Sequence, residues 1–206
     1  MRKVFAFQFM SIDGIGEFVA YPDDWSSGPD EGNALWAPYM PEIDTLFLGR
    51  RTFEIFAEYW PRQKDEASAS EWTKEFSRFY DRVEKVVFSK SLRNGVWPNS
   101  RIARGPIEAE VARLRETPGG TMAVVGGPRL FQSFLAADLI DDMFLGVFPS
   151  IVQHGKPLFR LQLDPDAPAA PVLVGAPDRH DFRAVDARAT ASGEVFLHYR
   201  RVPKGA

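Results

Sequence analysis

Apolar residues follow two patterns along the chain: short unbroken runs, and stripes in which they recur every three or four positions. The unbroken runs predict strands covered on both faces, at 4–10, 45–48, 86–89, 122–125 and 143–148. The stripes lie between these runs and predict amphipathic helices that start near Thr52, Trp72, Ile107 and Leu130. The chain is therefore expected to alternate strand and helix over most of its length.

The last part of the chain has a different pattern. Residues 182–202 predict two strands joined by Ser192-Gly193. Repeated strand–helix units followed by a late hairpin are typical of an α/β fold with a central, mostly parallel sheet, an antiparallel C-terminal strand and flanking helices. Pro61 is predicted to end the first helix, and residues 164–171, with three prolines, to form an extended surface segment.

Length and composition restrict the class of protein. The 206 residues suit one domain spanning 1–206, because the residues after the proline-rich segment are too few for a core of their own. The absence of cysteine excludes disulfide scaffolds, zinc ribbons, thiolate nucleophiles and cysteine-ligated iron–sulfur clusters. The formal net charge of -3 makes general binding of nucleic acid unexpected.

Hydropathy and the first residues of the chain predict its cellular compartment. No apolar run approaches the ~18 residues that cross a bilayer, so no membrane contact is expected. The basic start of the chain leads into an apolar run that Gln8 interrupts, and no cleavage site of small residues follows. This segment fits a first strand better than an export signal, and the cytoplasm is the expected compartment.

Candidate chemistry begins where the second apolar run ends, at Gly49. The first N–H groups of the helix that follows have no partner within it and carry partial positive charge, so a phosphate fits there. Thr52 adds a hydroxyl, and Arg50 or Arg51 could bind a phosphate with two parallel hydrogen bonds. The alternative is structural, with Gly49 in the turn, Thr52 as a cap and both arginines solvated.

The same order of strand, glycine and helix recurs at Gly126-Gly127. Pro128 suits the first helical position, and the N–H groups of Gly127, Arg129 and Leu130 could face a pyrophosphate. The sequence is neither G-x-G-x-x-G nor a Walker loop. One such corner is usually only a turn, but two corners at strand ends are more informative, because open α/β sheets bind ligands at that edge.

Five motifs occur in a characteristic order and carry a family resemblance. They are SIDG at 11–14, GRRTFE at 49–54, VFS at 87–89, VGGPRLF at 125–131 and HGKPLF at 154–159. Over about residues 2–202 the chain resembles the dihydrofolate reductase-like superfamily. It is most similar to the bacterial branch related to the reductase domain of the bifunctional riboflavin-biosynthesis deaminase/reductase.

The resemblance implies NADPH as the hydride donor and assigns roles to particular residues. Phosphate contacts are implied for Gly49, Arg50, Arg51, Thr52, Ser89 and Lys90, and a pyrophosphate cradle for Gly126, Gly127, Arg129 and Leu130. Gln8 and Phe9 on the first strand, together with Phe56, would contact the substrate. These assignments follow from the resemblance and not from the spacing of the residues.

A catalytic acid is harder to place. Folate reductases carry a carboxylate on the helix before the second strand. Here Glu31, Glu42 and Asp44 are the candidates, but each is better explained as a cap or surface carboxylate. Asp13 could assist proton transfer or bind an amino-pyrimidine. The alternative for Asp13 is an Asx turn before Gly14.

The three histidines suggest neither a metal site nor a catalytic triad. His154, His180 and His198 show no metal-ligand spacing and no recognisable Asp or Ser partner. No metal is therefore expected.

Two functions follow from these observations. The first is an NADPH-dependent reductase of a small heterocycle of pyrimidine or pterin type, similar to 5-amino-6-(5-phosphoribosylamino)uracil reductase. The alternative is a non-catalytic nucleotide- or flavin-binding regulatory protein on the same fold. The resemblance also implies a homodimer.

Overall fold

Eight strands form one sheet in the computed structural model, which describes residues 1–17, 35, 37–93, 97–159 and 180–203. The strands are β1 (Val4–Ser11), β2 (Ile43–Gly49), β3 (Glu84–Phe88), β4 (Ser100–Ile102), β5 (Thr121–Val125), β6 (Asp142–Phe148), β7 (Phe182–Ala189) and β8 (Val195–Arg201). Their order across the sheet is β4-β3-β2-β5-β1-β6-β8-β7.

The direction of the strands confirms the predicted α/β fold. All pairings among β1 to β6 are parallel, and β8 and β7 add an antiparallel hairpin at one edge. The predicted extended segment at 164–171 lies outside the described residues. Parallel pairing means that β3, β2, β5 and β1 all end at the same edge of the sheet, which places the loops after them side by side.

Four α-helices and one 3₁₀ helix are present in the described ranges. They are α1 (Arg50–Gln63), α2 (Glu71–Arg82), α3 (Ile107–Arg115), α4 (Pro128–Ala136) and the 3₁₀ helix (Ala37–Glu42). Ser70 caps α2 because its hydroxyl accepts a hydrogen bond from the N–H of Thr73. The helices cover both faces of the sheet, which explains why the central strands are apolar on both sides.

The sheet separates two hydrophobic cores, which follow from the alternation of side chains along β1. Phe5 and Phe7 point into the first core, where they meet Phe53 of α1 and Phe79 of α2. The second core lies on the opposite face and contains buried side chains of β1, α3 and α4, including Val4, Ala6, Val111, Phe131 and Phe134. The first core is rich in aromatic rings, whereas the second is mainly aliphatic.

The structure corrects the prediction that Pro61 ends the first helix. Helix α1 continues through Pro61 to Gln63. Proline removes one backbone donor, but only two helical residues follow it, so little of the hydrogen-bond ladder is lost. The hydroxyl of Ser77 on α2 donates to the carbonyl of Trp60 at 2.6 Å and ties the two helices together at this point.

Strand β3 starts earlier than its apolar run and contains a buried lysine. Lys85 is fully buried, and its ammonium donates to the carbonyls of Tyr80 at 2.6 Å and Val83 at 2.9 Å. It also lies 4.5 Å from the centre of the Trp97 ring. Because these carbonyls belong to the C-terminal end of α2, Lys85 caps that helix from the neighbouring strand.

Candidate active site

The two predicted glycine corners lie next to each other. Strands β2 and β5 are parallel neighbours, with Phe47 opposite Val124, so Gly49 and Gly126 leave the sheet side by side. A methyl group built on Gly126 would lie 3.1 Å from the hydroxyl oxygen of Thr52 and 3.8 Å from the backbone nitrogen of Gly49. Gly126 has φ +151°, which favours glycine. The ends of β3, β2, β5 and β1, at residues 89, 49, 126 and 11, are called the carboxyl rim below.

Two helices begin at this rim and direct their N-termini toward it. The N-cap residues are both glycines, Gly49 for α1 and Gly127 for α4. Neither helix therefore has a cap side chain that accepts hydrogen bonds from its first-turn N–H groups. The first-turn N–H groups carry partial positive charge, so the rim has two neighbouring places suited to an anion. Their separation along the chain is large, but the pairing of β2 with β5 brings them together.

Arg50 and Arg51 both reach solvent, and both are ion-paired. Arg50 pairs with Glu54 at 3.0 Å, one turn further along the same helix. Arg51 pairs at 2.9 Å with Glu17, in the loop after β1, and Glu17 also pairs with Lys156. An anion that recruits Arg51 must therefore compete with a carboxylate from another part of the rim.

Ser89 follows β3 at the rim, beside the end of β2. Its hydroxyl oxygen accepts hydrogen bonds from the N–H groups of Ser91 at 3.2 Å and Leu92 at 2.9 Å, which fixes the turn after the strand. Lys90 is exposed in that turn. The predicted roles of Ser89 and Lys90 in binding phosphate stay predictions.

One predicted pyrophosphate contact needs revision. The N–H of Leu130 donates to the carbonyl of Gly127 at 3.1 Å, and the Leu130 side chain is buried. The chain itself therefore occupies the group that was assigned to a phosphate. The backbone of Gly127 and the first-turn N–H of Arg129 remain the candidate donors of this corner.

The residues predicted to meet the substrate divide between the two faces of the sheet. Phe9 lies against the first core, with its ring 4.7 Å from Phe7 and 5.4 Å from Phe148. Gln8 points to the other face, is buried, and donates to the carbonyl of Val124 at 3.3 Å. Phe9 and Phe56 pack against the same core, so they can contact one ligand on the first face, whereas Gln8 lies on the opposite face of the sheet.

Asp13 fastens two loops together at the rim. Its carboxylate accepts hydrogen bonds from the hydroxyl of Ser11 at 2.5 Å and from the N–H groups of Gln153 at 2.7 Å and Val152 at 3.2 Å. These bonds, led by the one from Ser11, lower the pKa of Asp13 to about 2. The group is ionised at neutral pH, which does not suit proton donation. Its partners are Ser11 and the loop after β6, so the structural role is a link between loops and not the predicted Asx turn. Its catalytic role stays a prediction.

The other candidate acids do not lie at the rim. Asp44 pairs with Arg2 and accepts from the N–H of Gly120 at 2.6 Å, at the start of β2. Glu42 ends the 3₁₀ helix just before that strand. Both sit at the amino edge of the sheet, about 20 Å from the carboxyl end of a seven-residue strand. Glu31 lies outside the described residues.

Two open clefts also lie at the amino edge, far from the glycine corners. Their volumes are about 750 and 760 Å³, and they share Arg2 and Asp44 in their lining. Arg101 in the first cleft is ion-paired with Glu84 at 2.6 Å. Ion pairs hold several of the charged groups in these clefts, including Arg2 with Asp44 and Arg113 with Glu110.

A buried polar cluster escaped the sequence analysis. Nε2 of His198 lies 2.9 Å from Oδ1 of Asp142, and Nδ1 lies 3.2 Å from the hydroxyl of Tyr39. Asp142 also pairs with Arg200 at 3.0 Å. The expectation that the histidines lack acidic partners is therefore wrong, and His180 likewise pairs with Asp138 at 3.0 Å.

No metal site or membrane span emerges from the part of the chain that the structure describes. Within 1–17, 35, 37–93, 97–159 and 180–203, no group of three or more His, Asp or Glu side chains could hold a metal ion. None of the helices in these ranges is long and apolar enough to cross a membrane.

The mostly parallel sheet and the paired glycine corners at its carboxyl edge define an α/β domain of the dihydrofolate reductase-like type. The family model for the RibD C-terminal domain matches residues 2–169, and the chain belongs to this family. Among curated proteins it is similar to two from Bacillus subtilis (strain 168). YyaP is 26% identical over 199 residues, 96% of this chain and 94% of YyaP. YwjB is 27% identical over 165 residues, 77% of this chain and 83% of YwjB.

Solved structures show the same fold at low sequence identity. A putative riboflavin biosynthesis protein from Shewanella sp. PV-4 has a TM-score of 0.68 at 18% identity, covering 98% of this chain and 99% of its own. A pyrimidine reductase-like protein from Corynebacterium diphtheriae has a TM-score of 0.61 at 15% identity, covering 98% and 93%. RibD from Acinetobacter baumannii has a TM-score of 0.61 at 14% identity, with 98% of this chain matching 58% of RibD.

Proposed function

We propose that the chain is a reductase that uses NADPH to reduce a small heterocyclic substrate of pyrimidine or pterin type, similar to the 5-amino-6-(5-phosphoribosylamino)uracil reductases. One observation carries the proposal: Gly126 lies against Thr52 and Gly49 at the carboxyl rim, where a carbon added to Gly126 would lie 3.1 Å from the Thr52 hydroxyl oxygen. Glycine at such a contact lets a ligand approach the backbone closely. Family membership supports the reductase class.

The rim matches the charge distribution of a phosphorylated dinucleotide. A pyrophosphate would be held by the N-terminus of α4 at Gly127 and Arg129, and a further phosphate by the N-terminus of α1 with Thr52 and Arg51. NADPH supplies the hydride when bound, and the chain supplies orientation and exclusion of water. The aromatic wall around Phe9 would keep water away from the reacting edge of the substrate.

Direct titration tests the proposal. Purified protein is titrated with NADPH while the fluorescence of the reduced nicotinamide is followed, and a panel of pterins and pyrimidines is then added to measure oxidation of NADPH. Saturable binding followed by oxidation with at least one compound is expected. Failure to bind NADPH at millimolar concentration contradicts the proposal.

Arg51 is expected to distinguish NADPH from NADH. Its partner Glu17 is a separate rim carboxylate that a phosphate can replace, whereas Arg50 is paired within its own helix. We expect Arg51→Ala to reduce the preference for NADPH by about tenfold, the loss of one charge-assisted contact. Dissociation constants for both cofactors are compared among the wild type, Arg50→Ala and Arg51→Ala. Arg62→Ala, in the last turn of α1, is the control. If both Arg50→Ala and Arg51→Ala keep the wild-type preference for NADPH over NADH, neither arginine contacts the additional phosphate of NADPH.

The geometry of Asp13 also favours the second function, a regulatory protein that binds a nucleotide or flavin without catalysis. Three donors of the chain occupy its carboxylate, and the other described rim acid, Glu17, is paired with Arg51 and Lys156. Stable ligand binding without oxidation of NADPH across the panel would favour this function.

Asp13→Asn separates a structural from a catalytic role. The asparagine oxygen keeps part of the hydrogen bonding, so we expect turnover to stay within about threefold of the wild type and its pH profile to keep its shape. Steady-state kinetics between pH 5 and 8, on whichever substrate supports oxidation, provide the measurement. Loss of two or more orders of magnitude in kcat would assign proton transfer to Asp13.

A homodimer is part of the proposal. Strand β7 forms an edge of the sheet, and residues 183–189 are exposed along it. An edge strand offers unpaired backbone groups that a second chain can meet. Sedimentation or light scattering of the purified protein would give the mass directly, and a monomer at all concentrations would contradict this part.

A further inference from the structure

Strand β7 is the last strand of the sheet in the part of the chain that the structure describes, and backbone groups point outward from it. The carbonyl of Asp181 accepts from the N–H of Val202 at 2.8 Å, and the N–H of Thr190 donates to the carbonyl of Glu194 at 2.9 Å. Alternate residues of a strand direct their backbone groups to the same side. Counting in twos from Asp181 and from Thr190, the residues whose groups point away from β8 are Phe182, Ala184, Ala187 and Ala189.

A β-bulge in β7 brings two opposite charges onto the same face of the sheet. The pairing with β8 shifts by one residue between Ala184 and Asp186. Before the shift Arg183 lies opposite Arg200, and after it Asp186 lies opposite His198. Arg200 and His198 are two positions apart on β8 and share a face. Arg183 and Asp186 therefore share that face as well, although residues three apart in a regular strand point to opposite faces.

The charged residues of this segment form a pattern that is complementary to itself. Asp181, Arg183, Asp186 and Arg188 alternate in sign, at spacings of two, three and two positions. Read in the reverse direction, the same spacings carry the opposite signs. All four residues are exposed, and Asp186 pairs with Arg188 at 2.8 Å along the strand. An antiparallel second copy of the segment can therefore place every charge opposite a charge of the other sign.

We propose that β7 pairs antiparallel with β7 of a second copy of this chain, with Arg183 opposite Asp186 and Asp181 opposite Arg188 across a two-fold axis. The inference rests on the proposed function, because the homodimer is part of it, and it adds the interface and the register. Opposite charges that face each other on neighbouring strands stabilise the pairing. Each of the two charge pairs occurs twice in the dimer, since the two-fold axis repeats it.

The backbone and the charges together select this register. It places Phe182 opposite Ala187, and both residues have outward N–H and C=O groups that can form reciprocal hydrogen bonds. The backbone alone would also allow a shift by two residues, which places Arg183 opposite Arg188. Like charges in that position destabilise the pairing. Charges on an edge strand usually prevent its pairing with other chains, whereas the alternating signs of β7 favour one partner in one register.

Reversing one charge, and then its partner, tests the register. In Arg183→Asp two charge pairs of the dimer change from attraction to repulsion, so we expect the dissociation constant of the dimer to rise at least about tenfold. Adding Asp186→Arg exchanges the two charges and should restore most of the affinity. Sedimentation equilibrium over a range of concentrations gives the constants. Arg104→Asp makes the same change of net charge at an exposed residue after β4, the opposite edge strand, and should associate like the wild type.

Cysteine cross-linking gives an independent readout, because the chain has no cysteine. In the proposed register Arg183 and Asp186 of the two copies form a pair without direct backbone hydrogen bonds, with Cα atoms about 4.5 Å apart, within reach of a disulfide. The double variant Arg183→Cys with Asp186→Cys should therefore give a covalent dimer on a non-reducing gel after mild oxidation. Within one strand the two positions are about 10 Å apart, too far for a disulfide, and each single cysteine variant should stay uncross-linked.

The outcomes separate this inference from the rest of the proposed function. Unchanged or tighter association of Arg183→Asp overturns the register, and so does a double cysteine variant that does not cross-link. If Arg183→Asp does not fold by circular dichroism, the cross-link decides. A monomer at all concentrations overturns the interface together with the homodimer. None of these measurements requires a cofactor, so a protein that cross-links in this register without binding NADPH would support the interface and overturn the reductase.

Discussion

Replacing Gly126 with valine is expected to abolish NADPH binding, with an increase in the dissociation constant of at least about 100-fold, or about 2.7 kcal/mol. The first added carbon would lie 3.1 Å from the Thr52 hydroxyl, and the branched side chain would fill the space between the glycine corners. The backbone at Gly126, with φ +151°, also disfavours a β-branched residue. Fluorescence titration with NADPH gives the measurement.

A matched glycine controls for the substitution itself. A carbon added to Gly105 would meet only the Ala109 side chain, at 4.0 Å, and the position lies between β4 and α3, three strands along the sheet from β5. Gly105→Val should bind NADPH like the wild type. Circular dichroism of both variants distinguishes a blocked site from an unfolded chain. A folded Gly126→Val protein with unchanged affinity would mean that the glycine corners do not hold the cofactor.

Lys85 is expected to make stability rise with pH. Burial lowers its pKa from the ordinary 10.5 to about 8, although the charge of Asp81 opposes the shift. Between these two values the unfolded chain binds more protons than the folded one, so the free energy of unfolding increases as pH rises. The shift corresponds to about 3 kcal/mol at most, and below pH 8 the folded protein carries the full penalty of the buried ammonium.

Comparison with Lys85→Met isolates this contribution. Urea unfolding at pH 7.5, 9 and 10.5 should show the wild type gaining stability relative to the variant as pH rises. Groups common to both proteins, including the tyrosines, cancel in the difference. Lys74→Met, at a lysine paired with Glu71 on the surface of α2, should give a difference that does not change with pH. A pH-independent difference for Lys85→Met would show that the buried ammonium does not titrate in this range.

The sequence predicted the central architecture because each central strand is apolar on both faces and each helix is striped. Val4 to Met10 and Thr121 to Val125 have no other stable arrangement than burial between two layers. The adjacency of Gly49 and Gly126 also follows from parallel strands ending at one edge, once β2 and β5 are neighbours. The hydrophobic pattern does not show which strands are neighbours, and the pairing of β2 with β5 is a finding of the structure.

Contacts between distant strands could not be predicted in this way. His198 and Asp142 are 56 residues apart and meet only because β8 pairs with β6 in a particular register. Strand β4 has only three residues and no apolar run, so its pairing with β3 defines it. Lys85 lies just before the apolar run 86–89, and only the end of α2 supplies the carbonyls that let it be buried.

The carboxylate of Glu17 already pairs with Arg51, so it competes with any anion that binds Arg51 at the rim. Glu17 contacts both Arg51 at the start of α1 and Lys156 in the loop after β6, so a single carboxylate connects three segments at the entrance. A phosphate that takes Arg51 leaves Glu17 with Lys156 alone and loosens one of those connections. Under the proposed function, occupancy of the rim by a phosphate and attachment of the loop after β1 would therefore be opposing equilibria.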